Sequence, residues 1–232
     1  MTIRKHYLLF IAFFISISLS YPEFFIGNKK YISTIDYFNN IKLSLSAYTS
    51  IKNGQFPPLV VENAFCNLGY PVHLFYSPIP YIIVSLLNFL LSNIYFSFAV
   101  TVIFSIFLAF IFIFLLVKYF FKDDIYALTA SFVYVCVPYL TICRLTRGAY
   151  SEFFAMCLLP PTLYFILRYI NKFSIKYLFF SVFFLFLLLN THLITSFYFL
   201  FFSTFFLICQ LIIILKDYCK TKKSVFLKKF GK

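Results

Sequence analysis

Residues 67 to 93 read NLGYPVHLFYSPIPYIIVSLLNFLLSN, and the direction of every later helix depends on whether this stretch crosses a membrane. Its second half, IIVSLLNFLL, is apolar enough to cross. Its first half carries Pro71, His73, Pro78 and Pro80. Proline lacks the backbone N–H and fixes φ, so those positions argue against a regular helix from the outset.

The rest of the chain identifies the solvent. Of its 232 residues 62% are hydrophobic and 12% charged, the mean hydropathy is +0.93, and 37 residues are Phe. A soluble domain of that size could not cover so much apolar surface, so the composition is that of an integral membrane protein. The net charge of +13 would elsewhere suggest nucleic acid. Here the basic residues sit in short clusters between apolar runs, which is how membrane topology is encoded, and no nucleic-acid partner is expected. Five glycines and no Rossmann or P-loop pattern leave little for cradling phosphates with backbone. Cys136, Cys143, Cys157 and Cys209 lie in or beside apolar segments without ligand spacing and read as small hydrophobes.

The expected fold class is an all-α polytopic membrane protein with about six transmembrane helices. The first runs from Tyr7 to about Leu19 behind Arg4 and Lys5; a signal peptide shares that layout, and an uncleaved helix is the preferred reading. The others fall at about 94–117, 125–143, 152–170, 176–190 and 194–215, the fourth of these being short and needing flanking residues. Residues 22–72 form a long polar loop. Within it Ile35, Phe38, Ile41, Leu45 and Tyr48 recur at helical spacing, Ser33 can cap, and Asp36 falls in the first turn, predicting an amphipathic helix along the membrane surface. A transmembrane domain thus covers 1–215, and 216–232 is a basic tail with seven lysines.

Counting Lys and Arg decides the reading of the opening stretch. If 73–93 does not cross, the cytoplasmic side receives Arg4, Lys5, Lys118, Lys122, Arg168, Lys172, Lys176 and the tail, 14 of the 20 basic residues. If it crosses, the inside holds only Arg4, Lys5, Arg144 and Arg147. The positive-inside rule favours the first arrangement, with 73–93 an interfacial or re-entrant helix on the outer face. The localisation expected is the inner (cytoplasmic) membrane.

That topology gathers polar groups at the outer face. Asp36 and Glu62 lie in the long loop and His73 at the start of the interfacial stretch. CRLTRGAYSEFF brings Arg144, Arg147 and Glu152 into one short loop, and LLLNTHLITS brings Asn190 and His192 to the end of another helix pair. Ionisable groups near membrane depth usually face a cavity or one another. Each also has a plain structural reading. Asp36 can complement a helix N-terminus, Arg147 and Glu152 can form a simple ion pair, Arg144 can anchor to lipid head groups, and His192 can be a satisfied helix-end residue.

The segments STIDYFNN, GQFPPLVVENAFCNLGYPVHLFYSPIPYI, RGAYSEFFAMCLLPP and NTHLITS, from about residue 30 to 200, resemble the bacterial membrane proteins labelled 6-pyruvoyl-tetrahydropterin synthase-related. Nothing in them resembles a pterin enzyme. That family is similar to GT-C glycosyltransferases, which use polyprenyl-phosphate-linked sugars on the outer membrane face. The resemblance implies a catalytic role for Asp36, the acid shortly after the first helix, and a juxtamembrane helix at 73–93. Asn40 stands where relatives commonly have His, and relatives are much longer. What it implies chemically is a lipid-linked sugar donor whose phosphate is bound by Arg144 or Arg147, with Asp36 accepting a proton or helping to hold a divalent metal, and Glu152 and His192 orienting Asp36 or the acceptor. The alternative is a non-catalytic membrane module, a partner subunit of a second membrane polypeptide or a fragment of a longer family member. A transporter is the third reading, with few Gly/Pro breaks or buried charges in the spans to support it.

Overall fold

The computed structural model describes residues 5–26, 35–61, 68–76, 78–209 and 212. Its helices in chain order are α1 (Lys5–Leu19), α2 (Tyr21–Ile26), α3 (Ile35–Lys52), α4 (Val72–Phe75), α5 (Ile79–Leu91), α6 (Ile94–Phe121), α7 (Asp124–Val135) and α8 (Pro138–Thr141), which runs into a π-helical turn (Ile142–Arg147), then α9 (Tyr150–Lys172) and α10 (Ile175–Leu189). An apolar helix α11 (Leu193–Cys209) continues into a second unit that begins at residue 194. Among the described residues there is no strand, and an isolated antiparallel bridge joins Val61 to Tyr70. Ser33, Glu62 and the lysine tail lie outside the described residues.

Among the described residues three helical stretches are long and apolar enough to cross a membrane: Ile94–Phe121, Asp124–Arg147 and Tyr150–Lys172. The six-span count also draws on α1, α10 and α11, which are shorter apolar helices. Side-chain chemistry is sorted as lipid solvent demands. Phe10, Phe14, Phe104 and Phe179 point outward, while Ser16, Ser44, Ser85, Ser97, Thr101, Ser131 and Thr162 are buried. Small residues let helix backbones approach, and each of these hydroxyls donates to the carbonyl four residues back at 2.6–2.9 Å, so none is left bare.

The centre is α6, which packs against α1, α2, α3, α5, α7 and α9. Two tight turns set the alternation. Asn93 caps α6 by accepting from the Tyr95 and Phe96 N–H groups, and Asp123 caps α7 from Ile125 and Tyr126. Lys118 closes the α6–α7 turn on Asp124 at 2.6 Å. Phe98 meets Tyr150 and Phe154, and further along Phe112 meets Tyr164 and Phe165, so α6 and α9 run in the same direction. Phe165 stacks on Phe180 and Phe184 of the returning α10. One end of the bundle therefore carries Lys118, Arg168, Lys172 and Lys176. There Arg168 lies over the rings of Tyr119, Tyr164 and Tyr177.

The course of α5 bears on the opening stretch. Pro78 and Pro80 stand at its start, where missing N–H groups do no harm, and Ser92 ends it in the left-handed region at φ 53. Ile79, Pro80 and Ile83 share a cavity wall with Thr101, Phe104 and Leu108 of α6, and two residues after its end the chain enters α6 at Ile94. Its 13 residues, about 20 Å at 1.5 Å each, lie beside the first half of α6 and stop well short of the Lys118 end. Beside it runs α3 in parallel: Asn40 meets Tyr81, Ser44 meets Ser85, and Tyr48 meets Phe89, each pair 41 residues apart. The buried face of α3 is Tyr37, Asn40, Ile41, Ser44 and Ala47. Of the apolar stripe expected from sequence, Ile41 faces inward, while Phe38 and Leu45 face out.

A buried ion pair ties the N-terminal helices to the π-turn. The Nε of Arg144 lies 3.1 Å from Glu23 Oε1, with side-chain exposures of 5% and 0%, and its Nη2 donates to the Leu19 carbonyl at 2.7 Å. Removing one member leaves an uncompensated buried charge, whereas replacing both with apolar groups does not. We expect Glu23→Gln and Arg144→Met each to lower unfolding stability by about 3–5 kcal/mol, and the double variant Glu23→Leu/Arg144→Met to recover most of it. Denaturant titration of detergent-solubilised protein measures this; additive losses in the double variant would refute the pairing.

Candidate functional site

The π-turn separates two arginines that an α-helix would bring together. On an α-helix residues i and i+3 share a face. Here Ile142–Arg147 forms the wider i→i+5 turn, and Arg144 points into the bundle at Glu23 while Arg147 points out to Glu152. Gly148 ends the turn at φ 71, a conformation that favours glycine, and redirects the chain into α9. Glu152, in the first turn of α9, lies 3.0 Å from Arg147 Nη1 through Oε2 and accepts the Tyr139 hydroxyl through Oε1.

Opposite this turn stands the face of α3 that carries Asp36, Asn39, Asn40 and Leu43, at i, i+3, i+4 and i+7. Asn40 locks the two sides together. Its amide N–H groups donate to the Asp36 carbonyl at 2.5 Å and to the Gly148 carbonyl at 2.9 Å, and its oxygen accepts the Tyr81 hydroxyl at 3.1 Å. The Tyr81 hydroxyl also lies 3.3 Å from Ser151 Oγ. Between these walls is an open cavity of about 510 Å³, lined among others by Asp36, Lys42, Tyr76, Arg147, Glu152 and His192. Burial holds the His192 imidazole below its usual range, with Glu152 opposing and Arg147 reinforcing, so the ring is neutral at pH 7.

Of the residues singled out from sequence, Asp36, Arg147, Glu152 and His192 all line this cavity, although Asp36 is more than 100 residues from the others. Arg144 is not among its lining residues and is engaged with Glu23. Asn40, Tyr81, Ser151 and Lys42 were not singled out as site residues. Tyr81 is one of 19 tyrosines and offers no local signal, whereas Glu23 was legible as a lone acid in the apolar run YPEFF, which requires a partner. Asp36 and Glu152 share the cavity, but among the described residues no three His, Cys, Asp or Glu side chains gather closely enough to hold a metal ion.

A second cavity of about 410 Å³ lies among α5, α6, α9 and α10. Its walls include Pro80, Phe154 and Thr191, near neighbours in sequence of Tyr81, Glu152 and His192, and they are almost wholly apolar.

The chain is an all-helical, multi-pass membrane protein with a polar cavity in its bundle. The family model described as 6-pyruvoyl-tetrahydropterin synthase related domain, membrane protein, matches residues 73–227, and the chain belongs to that family. A protein of Lactococcus lactis subsp. cremoris (strain MG1363), described as an uncharacterized protein, is 30% identical over 113 residues, 49% of this chain and 18% of the relative's length. The chain thus matches less than a fifth of that relative. No solved structure matches. The family match begins at His73, so the cavity joins matched segments to α3, which precedes them.

His73 in α4 is buried against the Tyr81 ring at 5.7 Å, and neither imidazole nitrogen has a hydrogen-bond partner among the described residues. Burial lowers its pKa below the usual 6.5. The unfolded chain therefore takes the proton first as pH falls: the stability from keeping His73 neutral is complete above pH 6.5 and is lost below it. We expect the wild type to lose stability relative to His73→Phe as pH drops below 6.5, with a slope approaching about 1.4 kcal/mol per pH unit. Parallel pH profiles for the two proteins would show that the ring does not titrate in this way.

Proposed function

We propose that the chain carries the active site of a glycosyltransferase that uses a polyprenyl-phosphate-linked sugar on the outer face of the cytoplasmic membrane. The reading rests on one observation above all: Asp36, which makes no ion pair among the described residues, shares an open cavity with Arg147, Glu152 and His192. The second, apolar cavity supports a donor that combines a charged head with a hydrocarbon chain. In the reaction, Asp36 accepts the proton of the acceptor hydroxyl as its oxygen attacks the anomeric carbon. The bond from that carbon to the phosphate oxygen breaks, and the phosphate leaves with the electron pair. Arg147 stabilises the leaving charge, since a guanidinium makes charge-assisted bonds to phosphate oxygens. Neutral His192 and Glu152 orient the acceptor. A GT-C-like arrangement goes with this reading, in which α1, α6, the α7–π-turn segment, α9, α10 and α11 span the bilayer. In it α5 lies at the outer interface, and the Lys118 end faces the cytoplasm.

Asp36→Asn keeps shape and hydrogen bonding but removes the base. Sugar transfer from a radiolabelled lipid donor in membranes is expected to fall by at least about 100-fold at equal protein level. Retention of full activity would exclude Asp36 as the base. If Asp36 only begins a helix, the same change costs at most about 1 kcal/mol of local stability.

The orientation is tested by cysteine labelling. A cysteine at Lys52 is expected to react with an impermeant reagent in intact cells, and one at Lys172 only after permeabilisation. The reverse pattern would invert the topology and move the cavity to the cytoplasmic side.

A further inference from the structure

Charge accounting around the cavity singles out a residue that the proposed mechanism leaves unused. Arg144 is spent on Glu23 inside the bundle. Arg147 stands 3.0 Å from Glu152 and donates to the Tyr139 hydroxyl at 3.4 Å, so its charge is largely balanced. His192 is neutral at pH 7, held below its usual pKa by burial. Lys42 lines the same cavity, is exposed, and makes no salt bridge among the described residues. It is six residues beyond Asp36 on α3, a rise of about 9 Å along the helix axis. An anion held by Lys42 therefore need not sit on the Asp36 carboxylate. Tyr76 and Asn39 also line the cavity and carry a hydroxyl and an amide, neutral donors for further anion oxygens.

We propose that Lys42 is the anion-binding group of this cavity and that the anion is the phosphate of an amphiphilic substrate. The inference deepens the glycosyltransferase reading and rests on it for the identity of the amphiphile. Arg147, tied to Glu152, then serves mainly to position that carboxylate and to meet charge that develops on the leaving phosphate. Lys42 provides the ground-state hold.

Binding of undecaprenyl phosphate, of undecaprenol and of inorganic phosphate to the full chain in phosphatidylcholine nanodiscs tests this. Wild type, Lys42→Gln and Lys42→Arg are compared after their melting profiles are shown to match. The wild type is expected to prefer undecaprenyl phosphate to undecaprenol, Lys42→Gln to lose about tenfold of that preference, and Lys42→Arg to keep it. Competition by millimolar inorganic phosphate against the lipid shows that the site reads phosphate itself; absence of competition with the lipid preference intact shows that it requires the lipid-borne group. Either result supports Lys42 provided the preference depends on its charge. An unchanged preference in Lys42→Gln, or no preference in the wild type, overturns the proposal. The binding assay contains no sugar or acceptor and is independent of transfer, so a chain that binds phosphate through Lys42 yet shows no transfer in the radiolabelled-donor assay would refute the transferase reading and leave this one standing. A chain that transfers sugar with Lys42→Gln binding unaltered would do the opposite.

Discussion

The cavity exists because one amide is satisfied from three directions. Asn40 reaches the Gly148 carbonyl across the gap between α3 and the π-turn and takes the Tyr81 hydroxyl from α5. Asn40 is itself buried, as are Gly148 and Tyr81, where an unmet donor or acceptor costs about 1–3 kcal/mol. Moving any of the three segments would break at least one of these bonds. Asp36, four residues before Asn40, and Glu152, four after Gly148, are thereby set on facing walls. An amide offers two donors and an acceptor at once, which is what this three-way junction uses.

The second constraint is the shape of the π-turn. It lets two arginines three residues apart do unrelated work. Arg144 reaches back to Glu23 and the end of α1, and Arg147 stands at the mouth of the cavity. In a regular α-helix both would lie on one face, and the bundle would lose either its internal tie or its cavity cation. Irregular helical turns are frequent at functional sites for this kind of reason. The surrounding bundle tolerates the irregularity because α6 and α9 hold the segment on either side through Phe98, Tyr150 and Phe154.

In the proposed function the two cavities take the two halves of an amphiphile. The polar one is lined by carboxylates, cations, amides and phenols, the other largely by Phe, Leu, Ile and Pro, with lining residues of both near the start of α5 and just beyond the end of α10.

By itself the sequence determined the solvent and the approximate places of the long apolar helices, while the expected span at 125–143 is interrupted after Val135 and continues through α8 into the π-turn. Hydropathy and proline placement act within a turn or two, so the run from 94 onward could be divided into apolar segments, and Pro78 and Pro80 argued against a regular helix from the start of the opening stretch. The basic-residue count also yielded a course for 73–93, because topology is written in charge as well as in structure. Four of the five polar residues singled out as site candidates line one cavity, since charged groups in so apolar a chain have few places to go. Only the tertiary structure decided which partners they have. The pairing of α3 with α5, 41 residues apart, and of Glu23 with Arg144, more than 100 apart, leaves no local pattern to read. The apolar spacing of Phe38 and Leu45 suggested one face for α3, and packing selected the face of Tyr37, Asn40 and Ser44 instead. In lipid, large apolar residues gain nothing by facing inward, so small and polar side chains become the contact surface, and hydrogen bonds between distant segments choose the arrangement.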